Sequence, residues 1–484
     1  MVFSDLFFLF VFIPAFAISY ILGAWIDRRW SMLQTGSHPH RAKNMALVIF
    51  SLIFYAWGEP VYVLLMLFSV LLNYLAGIGI SRQTAGRRKA ALVLGLIMNL
   101  LILGTFKYLN FFVDQLSALG ITINAPTIAL PIGISFYTFQ SISYLIDVYR
   151  REAQAQRRFA DLLLYISMFP QLIAGPIVRY GTIATEITDR RVTARDLAEG
   201  SYRFLIGLGK KVILANQLSE ISDQFLVGGL GNLTTTGAWV GVLAFTLQIY
   251  FDFSGYSDMA IGLGRCMGFH FNENFRHPYC CNSITDFWRR WHISLGSFFR
   301  DYVYIPLGGN RRHQAFNILV VWFLTGMWHG ASWNFIIWGV YFGIIVMLEK
   351  YTILKIKHKA FQPLLHVYSL ILVIIGWGIF YFDDFTQMTT FFHSFFAQGD
   401  TLFTDFLTES AILGNFWLWI AALLFCMPLR TGALRLLQRC TRDGSAVQET
   451  VLFTVRTVVS LAILIMSVAL LVGATNNAFI YTRF

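Results

Sequence analysis

Apolar runs long enough to cross a lipid bilayer recur along this 484-residue chain, and the stretches between them are crowded with arginine and lysine. A spanning helix needs roughly 17 to 25 mostly apolar residues. Leu6 to Trp25, the hairpin of Ala46 to Trp57 with Val61 to Ile80, Ala90 to Phe106 and Ile128 to Val148 are the first such runs. Inside lipid every backbone N–H and C=O must be paired within a helix or a closed barrel, and these runs are too long and too uniformly apolar for barrel strands. The expected fold class is therefore an all-α integral membrane protein, a polytopic helical bundle. At 56% hydrophobic and 13% charged, the same chain would expose far too much apolar surface as a soluble globule.

The connectors set an orientation. DRRWSMLQTGSHPHRAK, SRQTAGRRK and YRREAQAQRR are basic and read as cytoplasmic, which leaves the N-terminus outside. The N-terminal run lacks a basic leader and is longer than a signal peptide's apolar core, so it is expected to stay as the first span. Pro170 and Pro176 interrupt Leu162 to Tyr180, which reads as a re-entrant or interfacial hairpin. Phe204 to Val227, which contains Lys210 and Lys211, and Trp239 to Leu263 form the next pair. Ile318 to Phe323 and Phe335 to Leu348 follow, then Leu365 to Tyr381, Ile412 to Phe425 and Val455 to Val472. The loop bearing Asp383, Asp384, Asp400, Asp405 and Glu409 is acidic and falls outside. The net charge of +11 is accounted for by cytoplasmic loops facing membrane lipids, and no nucleic-acid partner is expected. With no internal repeat and no Pro- or Ser-rich linker, residues 1–484 read as one domain. Cys266, Cys280, Cys281, Cys426 and Cys440 make no CxxC pair and are expected to be reduced.

Polar residues concentrate in the middle third. Asp252 and Asp258 in FDFSGYSDMAIGLG lie inside an expected span, where an ionisable group is costly unless it is paired or wet. They read either as functional groups or as partners of arginines such as Arg265. In FWRRWHISLGSFF, the spacing of Phe287, Trp291, Leu295 and Phe298 predicts an amphipathic helix, with Arg289 and Arg290 available to an anion or to headgroups. IPLGGNRR adds a turn beside Arg311 and Arg312, which reads as a phosphate or pyrophosphate cradle or as a basic interfacial patch. His329 stands in GMWHGASWN. The small residues Gly326, Gly330 and Ala331 suggest room for a ligand there, with Trp328 and Trp333 as walls. A neutral imidazole can take the proton of an alcohol as it attacks an acyl carbon. His292 is a candidate second polar group. No GxSxG elbow, HExxH pattern or P-loop occurs, and neither His38 with His40 nor His270 with His277 has metal-ligand spacing, so no metal is expected.

The runs FDFSGYSDMAIGLG, FWRRWHISLGSFFRDYVYIPLGGNR and TGMWHGASWNFIIWG, in this order, resemble the signature set of the membrane-bound O-acyltransferases. PIGISFYTFQSISYLIDVYR and MFPQLIAGPIVRY are similar to the bacterial branch that acetylates alginate or D-alanylates teichoic acid, and the length fits the alginate type. The resemblance implies a helical bundle with re-entrant segments around a central tunnel, open to a cytoplasmic donor and an extracytoplasmic acceptor. It implies His329 as the catalytic histidine and His292 as a second active-site residue. It also implies acetyl-CoA or another acyl thioester as donor substrate with no permanently bound cofactor. An exopolysaccharide such as alginate would be the final acceptor, reached through periplasmic acetyltransferase partners from the bacterial inner membrane. Direct transfer is expected, because no Ser or Cys nucleophile sits beside either histidine in a recognisable motif. Two other readings stay open: transfer of D-alanine or another acyl group, and a glycan or lipid transporter. Against the transporter, the polar segments fall in one place rather than in paired halves.

Overall fold

The computed structural model describes residues 2–31, 40–82, 84–121, 123–355, 359–429, 432, 446–474 and 479–480. Cys440 and His38 lie outside the described residues, as do parts of the basic connectors. Among the described residues all regular structure is helical. Among the described residues six helices are long and apolar enough to cross a membrane, or seven if the pair Phe406–Gly414 and Phe416–Cys426, bent by 61°, is one span. The chain packs as two compact units, Met1–Phe204 with Tyr256–Glu273, and Leu205–Gly255 with Asn274–Phe484.

In the first unit, α1 (Ile13–Ser31) and α2 (Arg41–Gly58) form a hairpin. Asp27 fastens it by accepting from the N–H groups of Ala42 and Lys43 at 2.7 and 3.1 Å, two of the donors a helix start leaves unpaired. α3 (Tyr62–Arg82) pairs with α4 (Ala85–Leu103), which runs on through a π turn at Gly104–Tyr108 into α5 (Leu109–Ala118). The span expected from Ile128 begins later: α6 is Ile134–Arg150, preceded by Gly133 at φ 78°, a left-handed conformation that glycine adopts without strain. Nearly all of α6 is buried, including Ser135, Thr138, Gln140, Ser141 and Ser143, so it faces protein rather than lipid. The proline-interrupted stretch is broken, as expected, into α7 (Phe159–Ser167), α8 (Phe169–Leu172) and α9 (Tyr180–Thr188). Phe3, Phe8, Phe12, Phe54 and Phe169 pack in one cluster, and Tyr256 stacks on Phe3 at 4.6 Å.

α10 (Ala194–Gly209) carries Arg203, which pairs with Asp258 at 2.8 Å and Glu273 at 2.5 Å. Arg265, offered above as the partner of the intramembrane carboxylates, is instead held by Asp196 and Glu199 at 3.3 and 2.6 Å. In the second unit a π turn at Lys210–Ala215 leads into α11 (Asn216–Asp223), and the long α12 (Thr235–Cys266) contributes its first two-thirds. Lys211 Nζ lies 2.6 Å from Asp252, both nearly inaccessible, and Asp252 also accepts from the Ile480 N–H at 2.8 Å. Opposite charges in close contact offset the desolvation each would suffer alone. Lys211, inside the first of these two expected spans, is thus the partner that Asp252 in the second requires.

The predicted amphipathic helix is two helices, α13 (Ile284–Arg290) and α14 (Ile293–Phe299). Phe287, Trp291, Leu295 and Phe298 are all buried as their spacing predicts, but His292 between the helices has φ 44°. A non-glycine residue in the left-handed region is strained and must be held by its surroundings. α15 (Gln314–His329) and α16 (Trp333–Tyr351) pack tightly, and α17 (Gln362–Tyr381) packs on α16. α18 (Phe385–Phe395), α19 (Phe406–Gly414), α20 (Phe416–Cys426) and a final helix Ala446–Val472 complete the unit.

Candidate active site

α13 is fixed at its start by two side-chain caps, a hydroxyl and a carboxylate. Ser283 Oγ accepts from the Asp286 N–H at 2.9 Å. Glu349, fully buried near the end of α16, accepts from the N–H groups of Ile284 and Thr285 at 2.6 and 2.8 Å and from the Thr285 hydroxyl at 2.7 Å. The helix N-terminus and the hydroxyl together satisfy the buried charge. Further along, Trp288 meets Trp322, Trp338 and Trp377 edge to face, an arrangement aromatic quadrupoles favour, while Trp377 tilts against Trp291 and stacks on Trp338. This wall leaves the chain little freedom as it reaches His292.

His292 is buried, and its Nδ1 lies 3.2 Å from Asn274 Oδ1. The same oxygen accepts from the Ser294 N–H at 3.2 Å and from Ser294 Oγ at 2.9 Å, while the Asn274 carbonyl accepts from the Ile293 N–H at 3.0 Å. Phe253 meets the imidazole edge-on at 4.7 Å. Four hydrogen bonds to one asparagine thus hold the left-handed turn. Ser294 Oγ is also 3.4 Å from His292 Nδ1, so a hydroxyl does stand beside this histidine. Its hydrogen goes to Asn274, and it serves the turn rather than acting as an activated nucleophile.

His329 is the last residue of α15, and Gly330 continues in extended backbone. Its ring lies 5.0 Å from Trp338, 5.4 Å from Phe380 and 5.0 Å from Trp328, each nearly perpendicular. Trp328 in turn lies 5.6 Å from the His292 ring, so one indole stands between the two imidazoles. A cation formed on His329 would sit at the negative end of the α15 dipole. The neighbouring glycines do not leave space for a ligand, as the sequence suggested. A Cβ on Gly326 would lie 2.3 Å from the Phe335 carbonyl oxygen, and one on Gly330 would lie 2.2 Å from the Phe335 ring. They admit α16, and Trp333 is exposed rather than a wall.

The expected anion-binding residues are placed apart from this buried group. Arg289 and Arg311 are exposed, and Arg290 is half-buried and bonded to Asp286 at 3.0 Å. Gly308 and Gly309 do turn with positive φ, but Asn310 between them and Arg311 accepts from Lys350 and Tyr304 at 2.9 and 2.7 Å. Trp328 is buried with the histidines. His270 and His277 turn to different partners, Glu186 and the Cys426 carbonyl. Asn274 and Glu349 were missed in the sequence. The only signal was an amide 18 residues before His292 and a lone carboxylate closing an apolar run.

Residues 151–392, which include Asn274, both histidines and Trp328, match the family model for membrane-bound O-acyltransferases. The chain is 42% identical to the probable alginate O-acetylase AlgI of Azotobacter vinelandii over 418 residues, covering 84% of this chain and 80% of the relative. It is 42% identical to the corresponding protein of Pseudomonas aeruginosa over 409 residues, 82% of this chain and 75% of the relative. A peptidoglycan O-acetyltransferase of Helicobacter pylori is 35% identical over 382 residues, 72% of this chain and 70% of the relative.

Proposed function

The chain belongs to the membrane-bound O-acyltransferase family and is a multi-pass O-acyltransferase, and we propose that it moves an acetyl group from a cytoplasmic acyl thioester, acetyl-CoA in the first instance, toward the hydroxyls of an exopolysaccharide such as alginate. On this reading it lies in the bacterial inner membrane and hands the group to periplasmic acetyltransferase partners. His329 acts as general base. Its imidazole takes the acceptor's hydroxyl proton, the oxygen attacks the thioester carbonyl carbon, the C–S bond breaks, and the thiolate leaves with a proton returned to it. His292 is the second polar group at the reacting centre. A central tunnel lets donor and acceptor arrive from opposite compartments, so the whole donor need not cross. Arg289, Arg290, Arg311 and Trp328 belong to the donor's path: the exposed guanidiniums of Arg289 and Arg311 suit its phosphates at the surface, Arg290 stands half-buried beside them on Asp286, and the indole lines the buried end.

The observation that carries this reading is the buried pairing of His292 and His329 through Trp328. It falls inside the segment matched to the family, and general-base chemistry suits imidazole at neutral pH. The test is the acetyl content of secreted polymer in cells carrying His329→Ala at equal protein level: loss supports the reading, and a wild-type content refutes it. A second acceptor, a cell-wall glycan, is favoured by the similarity to a peptidoglycan O-acetyltransferase. Mass analysis of the modified polymers separates the two, and a D-alanyl adduct in place of acetyl would change the cargo.

A further inference from the structure

We infer that Asn274 is a positioning residue for acyl transfer: its side-chain oxygen fixes His292 as the Nδ1–H tautomer and so makes Nε2 the basic nitrogen. The inference rests on the reading that His292 belongs to the reacting centre. An asparagine amide is ambiguous by itself, because its oxygen and nitrogen can exchange places. Here the ambiguity is removed by a backbone group. The Ser294 N–H, 3.2 Å away, can only donate, so the atom facing this turn must be oxygen. The Ser294 hydroxyl has one hydrogen and stands nearer this oxygen, 2.9 Å, than His292 Nδ1, 3.4 Å, so it donates to the oxygen. An amide oxygen has no hydrogen to give, so His292 Nδ1 at 3.2 Å must carry the proton that bridges them. The lone pair of the imidazole is then on Nε2, across the ring.

The backbone adds a second constraint. His292 sits at φ 44° and ψ 54°, a conformation unfavourable for a residue with a Cβ. The Ile293 N–H bond to the Asn274 carbonyl at 3.0 Å and the two bonds from Ser294 hold the chain there. Asn274 therefore sets both the direction of the ring and the location of its proton, the two properties a proton acceptor must have fixed. Phe253 and Trp328 close on the ring at 4.7 and 5.6 Å, which limits its rotation away from this arrangement.

The experiment uses the full-length protein in nanodiscs, labelled with 15N-histidine, with His292 assigned by subtraction of the His292→Gln spectrum. The expected wild-type spectrum shows a protonated Nδ1 and an unprotonated Nε2 at His292. Asn274→Asp, which keeps an acceptor at the same place, retains that tautomer, whereas Asn274→Leu loses its dominance. In parallel, transfer from acetyl-CoA to alginate oligosaccharide is followed with a periplasmic extract present in excess to supply the partner acetyltransferases. Asn274→Leu is expected to lower kcat by at least about 10-fold with donor KM within about 2-fold, and Asn274→Asp to restore most of the rate. A His292 that is Nε2–H in the wild type overturns the inference whether or not any variant folds. So does full kcat in Asn274→Leu when His292→Ala has lost it. If His292→Ala itself keeps full kcat, it is the reading of His292 as part of the reacting centre that fails, and the wild-type spectrum still decides the tautomer.

Discussion

His292 and His329 flank the same indole, yet they are held by different kinds of force. His292 is tethered by a hydrogen bond to Asn274 Oδ1 and sits in a strained turn between two short helices. His329 ends a long helix and is held by the faces and edges of Trp328, Trp338 and Phe380. A hydrogen bond to an acceptor fixes which nitrogen carries the proton, whereas edge-to-face ring packing fixes where the ring lies. The difference suits a division of labour in which His329 exchanges a proton with the reacting alcohol and His292 presents a set polarity beside it.

The largest expected effect breaks that comparison outright. His329→Ala should lower the rate of acetyl transfer by about 100- to 10,000-fold, measured as initial rate per folded protein. A smaller loss than that of His292→Ala would invert the proposed roles. Gly330→Ala sharpens the packing side: its Cβ would lie 2.2 Å from the Phe335 ring, so thermal unfolding in detergent should report a destabilisation of about 1–3 kcal/mol. No change would mean that the space beside His329 is open after all. For the strained side, His292→Gly should unfold at a higher temperature than His292→Ala, by roughly 1 kcal/mol, because only glycine occupies φ 44° freely. Both variants should lack the imidazole's contribution to rate equally. The smallest effect is expected at the exposed cations. Arg311→Ala should raise the KM for acetyl-CoA by no more than about 3-fold with kcat unchanged, as for a screened surface charge. A fall in kcat would place Arg311 at the reacting centre, contrary to its exposure.

The spanning helices were legible because lipid imposes a simple demand, an unbroken apolar run, and the runs beginning at Leu6, Val61, Ala90, Phe335, Leu365 and Val455 each fall on a helix of spanning length. Finer features escaped wherever the apolar pattern is indifferent to backbone geometry. Phe287, Trp291, Leu295 and Phe298 keep helical spacing through a left-handed residue, so periodicity could not reveal the break at His292. Gly133 ended the expected reach of α6 in the same silent way. Partners distant in sequence were no easier to find. Asp252 pairs with Lys211, 41 positions before it, rather than with the arginine nearby in the chain. The two histidines stand out in the sequence through ordered motifs. Asn274 does not, because its place beside them depends on one oxygen meeting His292 Nδ1, the Ser294 N–H and the Ser294 hydroxyl, which no spacing rule encodes.

The most direct measurement places the protein in sealed proteoliposomes with one orientation selected, supplies radiolabelled acetyl-CoA on the cytoplasmic face only, and traps alginate oligosaccharide with a periplasmic extract, the source of the partner acetyltransferases, on the other. The account predicts label on the trapped sugar with wild-type protein and none above background with His329→Ala. Label that appears only when donor and sugar share a compartment, or that appears equally with His329→Ala, would contradict it.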